Sequence, residues 1–420
     1  MRRLRWAILF ALIALGGGTL WLLLGHESIE EGRCRLVRRK ADPSSQLMGL
    51  AFQMLQPQTT KPDRVRNLPA GFDRPCYYEI KSSDKRIPLV VNLSERPALC
   101  LDTNGDGVLS QERCFAATRV RETKVSSSSL RFGPISLVSE DGSSQTDGTF
   151  YVNTYRTDAP GPLTAFPAFF RTGKLRLAGQ TYQVAVVDGD CDGRFHSILS
   201  LPLDQAWRIP ESDVFAIDLN HNGQFEISLS GRSEVMPLGH LIQVADTYYA
   251  IDIASDGRSL ALAKTELEFG TLSIEPNDTM AELRLWSDAS DQYLRGRQWR
   301  LPAGKYKGIY AAFEKKDASG DVWSFSSNLS SAFTCLGPLE FFTIQPGETT
   351  SVKIGPPFAV KTDVQRAGPE NVSIGGVLAG CAGEEYQMGC RRNDRALPSP
   401  AFKIVDEKGT VLVAGKFEYG

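Results

Sequence analysis

The sequence predicts a mostly β protein, in which an N-terminal transmembrane or signal helix precedes two or three antiparallel, sandwich-like β domains. From residue 66 onwards, short segments rich in β-branched and aromatic residues alternate at period two between Gly-, Asp-, Asn- and Ser-rich turns. Helical periodicity is weak after residue 24, which favours antiparallel sheets over helical layers. The apolar fraction of 42% and the charged fraction of 23% are those of folded globular domains.

The first 24 residues predict a membrane helix. Three arginines among the first five residues precede an uncharged run of nineteen, Trp6–Leu24, which as a helix spans about 28 Å. That length is close to the hydrocarbon thickness of a bilayer. We interpret the run as an uncleaved signal anchor, and a signal peptide cleaved near Ala14–Gly16 is the alternative.

The charges around this helix bear on its orientation. Counted alone, the basic residues between 33 and 40 would retain the chain in the cytoplasm under the positive-inside rule. They begin nine residues after the apolar run and behind three glutamates, so we favour export. The chain is then expected in the cell envelope outside the cytoplasm, as a single-pass membrane protein. After cleavage it would instead be secreted or periplasmic.

The chain beyond the helix divides into a tether and three β regions. From the N-terminus these are a polar tether at 25–65, a β domain with acidic loops at 66–265, a β-sandwich at 266–357 and a small C-terminal β domain at 358–420. One short helix is expected near Gln46–Met54. Pro302 and Gly304 predict a turn between two strands, and Asp406–Gly409 predicts a hairpin turn.

The eight cysteines predict disulfides in an oxidising compartment. They are scattered and none forms a C-x-x-C pair, so zinc ribbons and thioredoxin-type redox sites have no support. Two pairs bracket short loops and are the expected local bridges, namely Cys100 with Cys114 and Cys381 with Cys390. A buried free thiol is the alternative for each cysteine.

Three short segments share acidic or amide residues at positions 1, 3 and 5 and glycine at position 6. They are the first acidic loop (Asp102, Asn104, Asp106, Gly107), the second (Asp188, Asp190, Asp192, Gly193) and the third (Asp218, Asn220, Asn222, Gly223). Ser110 and Glu112 extend the first set, and Glu226 extends the third. Alternate side chains in a tight loop converge on one point, and calcium takes six to eight oxygen ligands. The sequence therefore predicts structural calcium, whose charge would offset the clustered carboxylates.

These loops differ from regulatory EF-hands. Their twelfth positions are Arg113, Leu199 and Leu229, none of which supplies the acidic ligand of an EF-hand. Position 9 of the second loop is His196, a poor calcium ligand. Strand-like segments flank the second and third loops, which predicts EF-hand-like calcium loops between strands. The alternative is a set of Asx-rich turns that bind no metal.

A resemblance follows from the order of these segments. The run of YQVAVVDGDCDGRF, FAIDLNHNGQFE, VMPLG and YYAIDIASDGRSLAL resembles a group of uncharacterised exported proteins of planctomycetes and related bacteria. Those proteins repeat strand-flanked D-x-N-x-D-G loops, continue into a β-sandwich with an LPAG-Y turn, and often end in G-F-YG. The resemblance covers residues 68–420, including the ending AGKFEYG. It implies a bacterial envelope protein and no particular activity.

The composition and motifs favour a role without catalysis. The near-balance of 47 basic and 49 acidic residues argues against a nucleic-acid-binding protein, which needs a basic face. No G-x-S-x-G, H-E-x-x-H or phosphate-binding glycine loop occurs in the sequence. We predict a calcium-stabilised envelope protein that contacts other proteins or cell-surface polymers. The alternative is an exported hydrolase, acting on glycans, with its site in residues 66–265.

Overall fold

The computed structural model describes residues 31–417, apart from positions 43–44, 83–84, 121–128, 137–148, 156–160, 201–211, 229–230, 276–279, 288, 328–336, 367–370 and 387–389. The described chain is mostly β and mainly antiparallel, which confirms the prediction of several antiparallel sheets. Its helices are the 3₁₀ turns Gln46–Met48, Leu109–Gln111 and Gly337–Leu339. The predicted N-terminal helix lies outside the described residues, and no helix within them is long and apolar enough to cross a bilayer.

Two sheets form the first sandwich, which spans residues 53–167. One sheet has the strand order Pro75–Ser82, Lys85–Asn92, Ala98–Leu101 and Cys114–Ala116. The other has the order Gln53–Leu55, Leu163–Pro167, Thr149–Tyr155, Ser129–Ser136 and Thr118–Val120. Side chains from both sheets, among them Tyr78, Phe132 and Phe150, are almost fully buried in one apolar core. Burial of each such side chain stabilises the fold by about 1.5–3 kcal/mol.

The second sandwich is built around a central sheet. The central sheet has the order Val235–Pro237, Val214–Ile217, Gln180–Val187, Phe169–Leu177 and Val37–Lys40. Its covering sheet has the order Arg33–Arg35, Ser259–Lys264, Thr247–Ile253 and Leu241–Val244. Val184, Phe215 and Tyr249 belong to the core between them.

The central sheet is buried on its other face as well. Val187 and Val214 lie in a separate core with Leu47 and Met48, which belong to the 3₁₀ turn in the region where the sequence predicts a short helix. Burial on both faces explains why the end of this strand, Val184–Val187, is a continuous apolar run, where a half-exposed strand would alternate.

The segment 25–65, predicted as a polar tether, contributes strands instead. Arg33–Arg35 and Val37–Lys40 are edge strands of the two sheets of the second sandwich. Most of their side chains are basic and exposed, as is common at sheet edges, so their composition resembles that of a tether. Leu36 between them is buried in the core.

The first sandwich is therefore an insertion in the second. The chain leaves the central sheet after Val37–Lys40 and returns to it at Phe169–Leu177. The Ala41 N–H donates a hydrogen bond to the Ala168 carbonyl over 2.8 Å, so departure and return occur side by side. Residues 66–265, predicted as one β domain, contribute to two separate apolar cores.

A third unit spans residues 269–354 and is extended by a hairpin at 391–396. One sheet has the order Gln298–Pro302, Phe269–Glu275 and Thr349–Lys353, the last pair being parallel. The other has the order Asp291–Gly296, Met280–Trp286, Gly304–Lys316, Val322–Ser326, Arg391–Arg392 and Arg395–Ala396, with Phe342–Ile344 pairing to Gly304–Lys316. Leu283, Tyr306 and Phe313 lie in its core. The predicted turn at Pro302–Gly304 leads from one sheet to the other.

Two further hairpins are largely exposed. The first pairs Ala359–Arg366 with Val372–Ala379, and the short strand Glu385–Tyr386 joins it. The second, the C-terminal hairpin, pairs Ala401–Val405 with Val411–Lys416 around a turn at Asp406–Gly409, as predicted. Residues 358–420, predicted as one small β domain, thus fall into separate sheets within the described chain.

Candidate metal centre

The second acidic loop begins where two neighbouring strands of the central sheet end together. Val187 and Val214, the adjoining ends of these antiparallel strands, are register partners. Asp188 follows the first and Asp213 precedes the second. Antiparallel pairing therefore places the two carboxylates side by side at one end of the sheet.

Three carboxylates converge at this end of the sheet. Ligand atoms of Asp188, Asp190 and Asp213 all lie within 4.8 Å of one another, and the three residues are at most 4% exposed. Asp192 adds a fourth buried carboxylate to the same loop. Within the described residues, no other three His, Cys, Asp or Glu side chains come as close together. The arrangement offers a hard cation several oxygens in one small volume.

Backbone N–H groups orient the carboxylates of the loop. Asp188 accepts hydrogen bonds from the Asp192 N–H over 3.0 Å and from the Gly193 N–H over 2.9 Å. Asp190 accepts a bond from the same Asp192 N–H over 3.2 Å, and Asp192 accepts one from the Arg194 N–H over 2.7 Å. Gly193 has a φ of 87°, a left-handed conformation that glycine adopts at little cost.

Asp213 fastens the loop to the neighbouring strand. Its carboxylate accepts hydrogen bonds from the N–H groups of Gly189 and Ser197, over 3.0 and 2.8 Å. A Cβ at Gly189 would lie 2.2 Å from the Ser212 carbonyl oxygen, so this approach of two chain segments requires glycine. Hydrogen bonds within the loop and to Asp213 therefore fix the loop from both sides.

Burial and crowding favour the protonated forms of Asp188, Asp192 and Asp213. The pKa of Asp188 is raised well above its ordinary value, first by burial and then by the charges of three neighbouring aspartates. Burial and the charge of Asp190 likewise raise the pKa of Asp213, against the effect of its backbone hydrogen bonds. Burial also raises the pKa of Asp192. Without a cation the site must hold protons or bear repulsion between buried charges, and a divalent ion relieves both.

The second acidic loop also joins two apolar cores. Cys191, at its tip, is buried in the core of the first sandwich beside residues such as Tyr78. Phe195, just beyond the loop, lies in the core of the second sandwich. Burial and then the surrounding carboxylates raise the pKa of the Cys191 thiol well above its ordinary value, so it stays protonated.

The third acidic loop repeats the same backbone pattern at the surface. Asp218 accepts hydrogen bonds from the N–H groups of Asn222 and Gly223, over 3.1 and 2.9 Å. Asn220 and Asn222 are exposed. Glu226, the predicted ligand at position 9, accepts a bond from the Asn220 amide over 3.3 Å. The predicted residues are close together, but two of them are neutral amides.

The first acidic loop combines this type of turn with a disulfide. Asp102 is buried, which raises its pKa, and accepts hydrogen bonds from the N–H groups of Gly105 and Gly107 over 2.9 and 3.1 Å. Glu112 reaches the loop by accepting a bond from the Thr103 hydroxyl over 2.6 Å. The other predicted ligands of this loop are exposed, namely Asn104, Asp106 and Ser110.

One of the two predicted disulfides is formed. Cys100 and Cys114 are register partners on adjacent strands and are bonded, so the bridge closes the chain around the first acidic loop. The second prediction is wrong for this structure, because Cys381 and Cys390 are free thiols. Cys381 is tied to Gly355 at the end of the exposed hairpin, whereas Cys390 precedes a strand that pairs with 323–324 in another sheet.

Two site residues were missed by sequence reasoning, Asp213 and Glu234. Asp213 and Glu234 each directly precede a strand of the central sheet. The acidic loop beside each of them follows the strand that pairs with it, so the second loop lies beside Asp213 and the third beside Glu234. Glu234 is buried and accepts hydrogen bonds from the N–H groups of Leu219 and Asn220, over 2.8 and 3.0 Å. The sequence signal that could have identified them is an acidic residue just before a continuous apolar strand. If that strand pairs antiparallel with the strand before the acidic loop, the residue must lie beside the loop.

The chain was compared with protein-family models, with curated proteins and with solved structures, and no match was found. The resemblance to exported planctomycete-type proteins therefore stays a prediction from the motifs.

Proposed function

We propose that this chain is an exported cell-envelope protein whose β domains are stabilised by calcium and whose role is structural. It would act through contacts with other proteins or cell-surface polymers. The observation that carries the calcium assignment is the convergence of Asp188, Asp190 and Asp213 in a buried loop. The basic-flanked run Trp6–Leu24 and the Cys100–Cys114 disulfide support export, since disulfides persist in oxidising compartments.

The chemistry of the ligand set favours calcium over other metals. All three converging side chains are carboxylates, which suit hard cations, and His196 and Cys191 are not among them. The ligands come from one loop and one adjoining strand, an irregular arrangement that calcium tolerates better than magnesium does. Positions 1 and 3 of the loop supply two of the carboxylates, as in calcium loops of the D-x-D-x-D-G type.

The burial of the same carboxylates supports a role without catalysis at this site. A glycoside hydrolase needs two carboxyl groups that reach a bound sugar, one of them as the acid. Asp188 and Asp213 have raised pKa values, as such an acid would, but they are at most 2% exposed. Their low exposure, and the hydrogen bonds that they accept from loop N–H groups, argue against contact with a bound sugar.

Calcium titration of the full-length protein in detergent tests the assignment. Because the ion would bind the folded state alone, calcium should raise the melting temperature, and a calcium chelator should lower it reversibly. We expect a dissociation constant on the order of 10⁻⁴–10⁻³ M, and about 2.7 kcal/mol of stabilisation at a hundredfold excess over it. Asp190→Asn should abolish most of this shift.

Asp256→Asn is the matched control, because Asp256 forms an exposed Asx turn with the Arg258 N–H and no carboxylate cluster. It should leave the calcium response unchanged. A calcium-dependent shift that persists in full in Asp190→Asn would show that the ion binds elsewhere. Equal melting temperatures with calcium and with chelator would show that the carboxyls are neutralised by protons alone.

Turnover assays test the absence of catalysis. We expect no hydrolysis of peptide, ester, glycoside or phosphate substrates, with or without calcium. Calcium-dependent hydrolysis that disappears in a single carboxylate variant, in a protein that still folds, would establish the hydrolase alternative instead.

A further inference from the structure

The strands nearest the predicted membrane anchor form a basic edge of the second sandwich. Arg33–Arg35 is the edge strand of the covering sheet, and Val37–Lys40 is the edge strand of the central sheet. Together these two strands, here called the basic edge, contain five basic residues and no acidic one, namely Arg33, Arg35, Arg38, Arg39 and Lys40. The strands at the opposite edges of the same two sheets, Leu241–Val244 and Val235–Pro237, contain no charged residue.

The alternation of side chains turns much of this charge outward. Cys34 and Leu36 pack against the core of the second sandwich, so the residues that alternate with them point to the other side. Those alternate residues are all exposed, namely Arg33, Arg35, Val37 and Arg39. Since a strand rises about 3.3 Å per residue, they form an exposed line about 20 Å long.

The acidic residues around the basic edge do not cancel its charge. Those that precede, follow or neighbour it are Glu27, Glu30, Glu31, Asp42, Asp252 and Asp256. Glu31 forms a salt bridge with Arg176 of the adjoining strand over 3.7 Å. Asp256 forms one with Arg258 over 3.6 Å. Lys174 adds a further exposed basic residue on the adjoining strand, so basic residues remain in excess on this side of the sandwich.

The predicted anchor determines which side of the sandwich lies closest to a membrane. Its apolar run ends at Leu24, and Glu31 follows seven positions later. An extended chain spans at most about 3.6 Å per residue, so Glu31 is within about 25 Å of the end of the run. The Gly32 N–H donates a hydrogen bond to the Arg176 carbonyl over 2.8 Å, so the chain joins the sandwich at the basic edge. This short link selects the basic edge over basic residues elsewhere in the chain.

We propose that the basic edge binds the anionic headgroups of the bilayer that holds the anchor. Its arginines contact lipid phosphates, whose geometry the guanidinium group matches. The contact holds the second sandwich against the membrane surface. The inference names a lipid partner for the envelope protein proposed above and rests on its membrane anchor. It uses none of the acidic loops, so its failure would leave the calcium assignment standing.

Photo-cross-linking of the full-length protein in lipid nanodiscs tests this contact. A photoreactive residue replaces Val37, which is uncharged and 49% exposed in the middle of the basic edge. Nanodiscs with about one third phosphatidylglycerol should give about fivefold more lipid cross-links than phosphatidylcholine alone. Salt at about 1 M should remove this difference, because the Debye length falls to about 3 Å. Equal yields in the two lipids at low salt would overturn the proposal.

Charge variants distinguish the basic edge from basic surface elsewhere. Arg35→Gln, Arg39→Gln and Lys40→Gln together should reduce the cross-links to phosphatidylglycerol about tenfold. The matched control removes three exposed lysines of the C-terminal hairpin, by Lys403→Gln, Lys408→Gln and Lys416→Gln. It should leave the yield unchanged, and melting temperatures check that both triple variants fold. An equal loss in the two variants, or no loss in the first, would contradict the proposal.

Flotation separates this contact from the anchor. The full-length protein should float with phosphatidylcholine vesicles through Trp6–Leu24 alone. Protein that floats but gives no lipid cross-links from position 37 keeps the anchor and refutes the contact, whereas protein that does not float refutes both. Cross-links that pass from lipid to an anionic polysaccharide added in solution would assign the basic edge to a cell-surface polymer and overturn the lipid assignment.

Discussion

The second and third acidic loops have the same backbone but different surroundings. In both, the first aspartate accepts hydrogen bonds from the N–H groups at positions 5 and 6. In the second loop, Asp190 and Asp192 are buried carboxylates, whereas Asn220 and Asn222 of the third are exposed amides. The repeated motif therefore sets the shape of the turn. Burial and charge set how strongly the carboxylates of each loop repel one another, which is the repulsion that the proposed calcium ion would offset.

Glu234 holds the backbone of the third loop. It accepts hydrogen bonds from the Leu219 and Asn220 N–H groups, the position that Asp213 takes beside the second loop. Asp218 is buried like Asp188, but Asn220, Asn222 and Glu226 of the third loop are exposed, so water screens the charge of Glu226. The second loop has little solvent to provide such screening.

The largest difference between the two loops should follow removal of their first aspartate. Asp188→Ala leaves the Gly193 N–H without an acceptor and the Asp192 N–H with Asp190 alone, in a buried loop, which should cost about 2–3 kcal/mol. Asp218→Ala frees N–H groups of exposed residues that water can reach, so we expect about 1 kcal/mol. Urea denaturation in excess calcium measures both. Equal losses would show that burial does not distinguish the loops.

A smaller effect should appear as a pH dependence in calcium-free buffer. The pKa values of Asp188 and Asp213 are raised in the folded state, so the folded protein binds more protons than the unfolded one. This contribution to stability is complete below the unfolded pKa of about 3.9 and is lost as pH rises through the folded values. Saturating calcium should remove this decline. Denaturation from pH 4 to 8 with calcium and with chelator measures it, and parallel curves would contradict the assignment.

The smallest expected effect tests whether the third loop can be made to resemble the second. Asn222→Asp adds one carboxylate beside Asp218 and Glu226. Without calcium it should cost about 0.5 kcal/mol, because position 222 is exposed and repulsion there is screened. With calcium the loss should be recovered. The difference in melting temperature between the two conditions measures this, and Asn222→Ser, which adds no charge, is the control.

Local patterns in the sequence predicted the local structure well. The alternating segments became strands, except that the described residues 225–228 after the third acidic loop form none. The turn at Asp406–Gly409 formed, and Cys100 and Cys114 are bonded. All of these depend on residues a short distance apart in the chain. Asp213 could not be assigned in the same way, because its place beside Asp188 depends on the register of two strands separated by 26 residues of chain.

The prediction of a polar tether was wrong because edge strands carry exposed charged residues, which give them the composition of a tether. Arg33–Arg35 and Val37–Lys40 have the polar character of a tether, yet they complete two sheets because their backbones supply the pairing. The proposed bridge between Cys381 and Cys390 failed for a related reason. A short separation along the chain brings two thiols together only when both ends stay in one sheet, and here the strands around them belong to different sheets.

The insertion of the first sandwich limits how this molecule can be divided. Adjacent ends at Ala41 and Ala168 are typical of an inserted domain that could once have been acquired whole or lost whole. Cys191 removes that independence, because it fills a place in the core of the insert from outside the inserted segment. Excision of residues 53–167 would expose the tip of the second acidic loop, and the excised fragment would carry a cavity in its core. The two sandwiches therefore cannot be separated without disrupting the packing of the insert, although each has its own core.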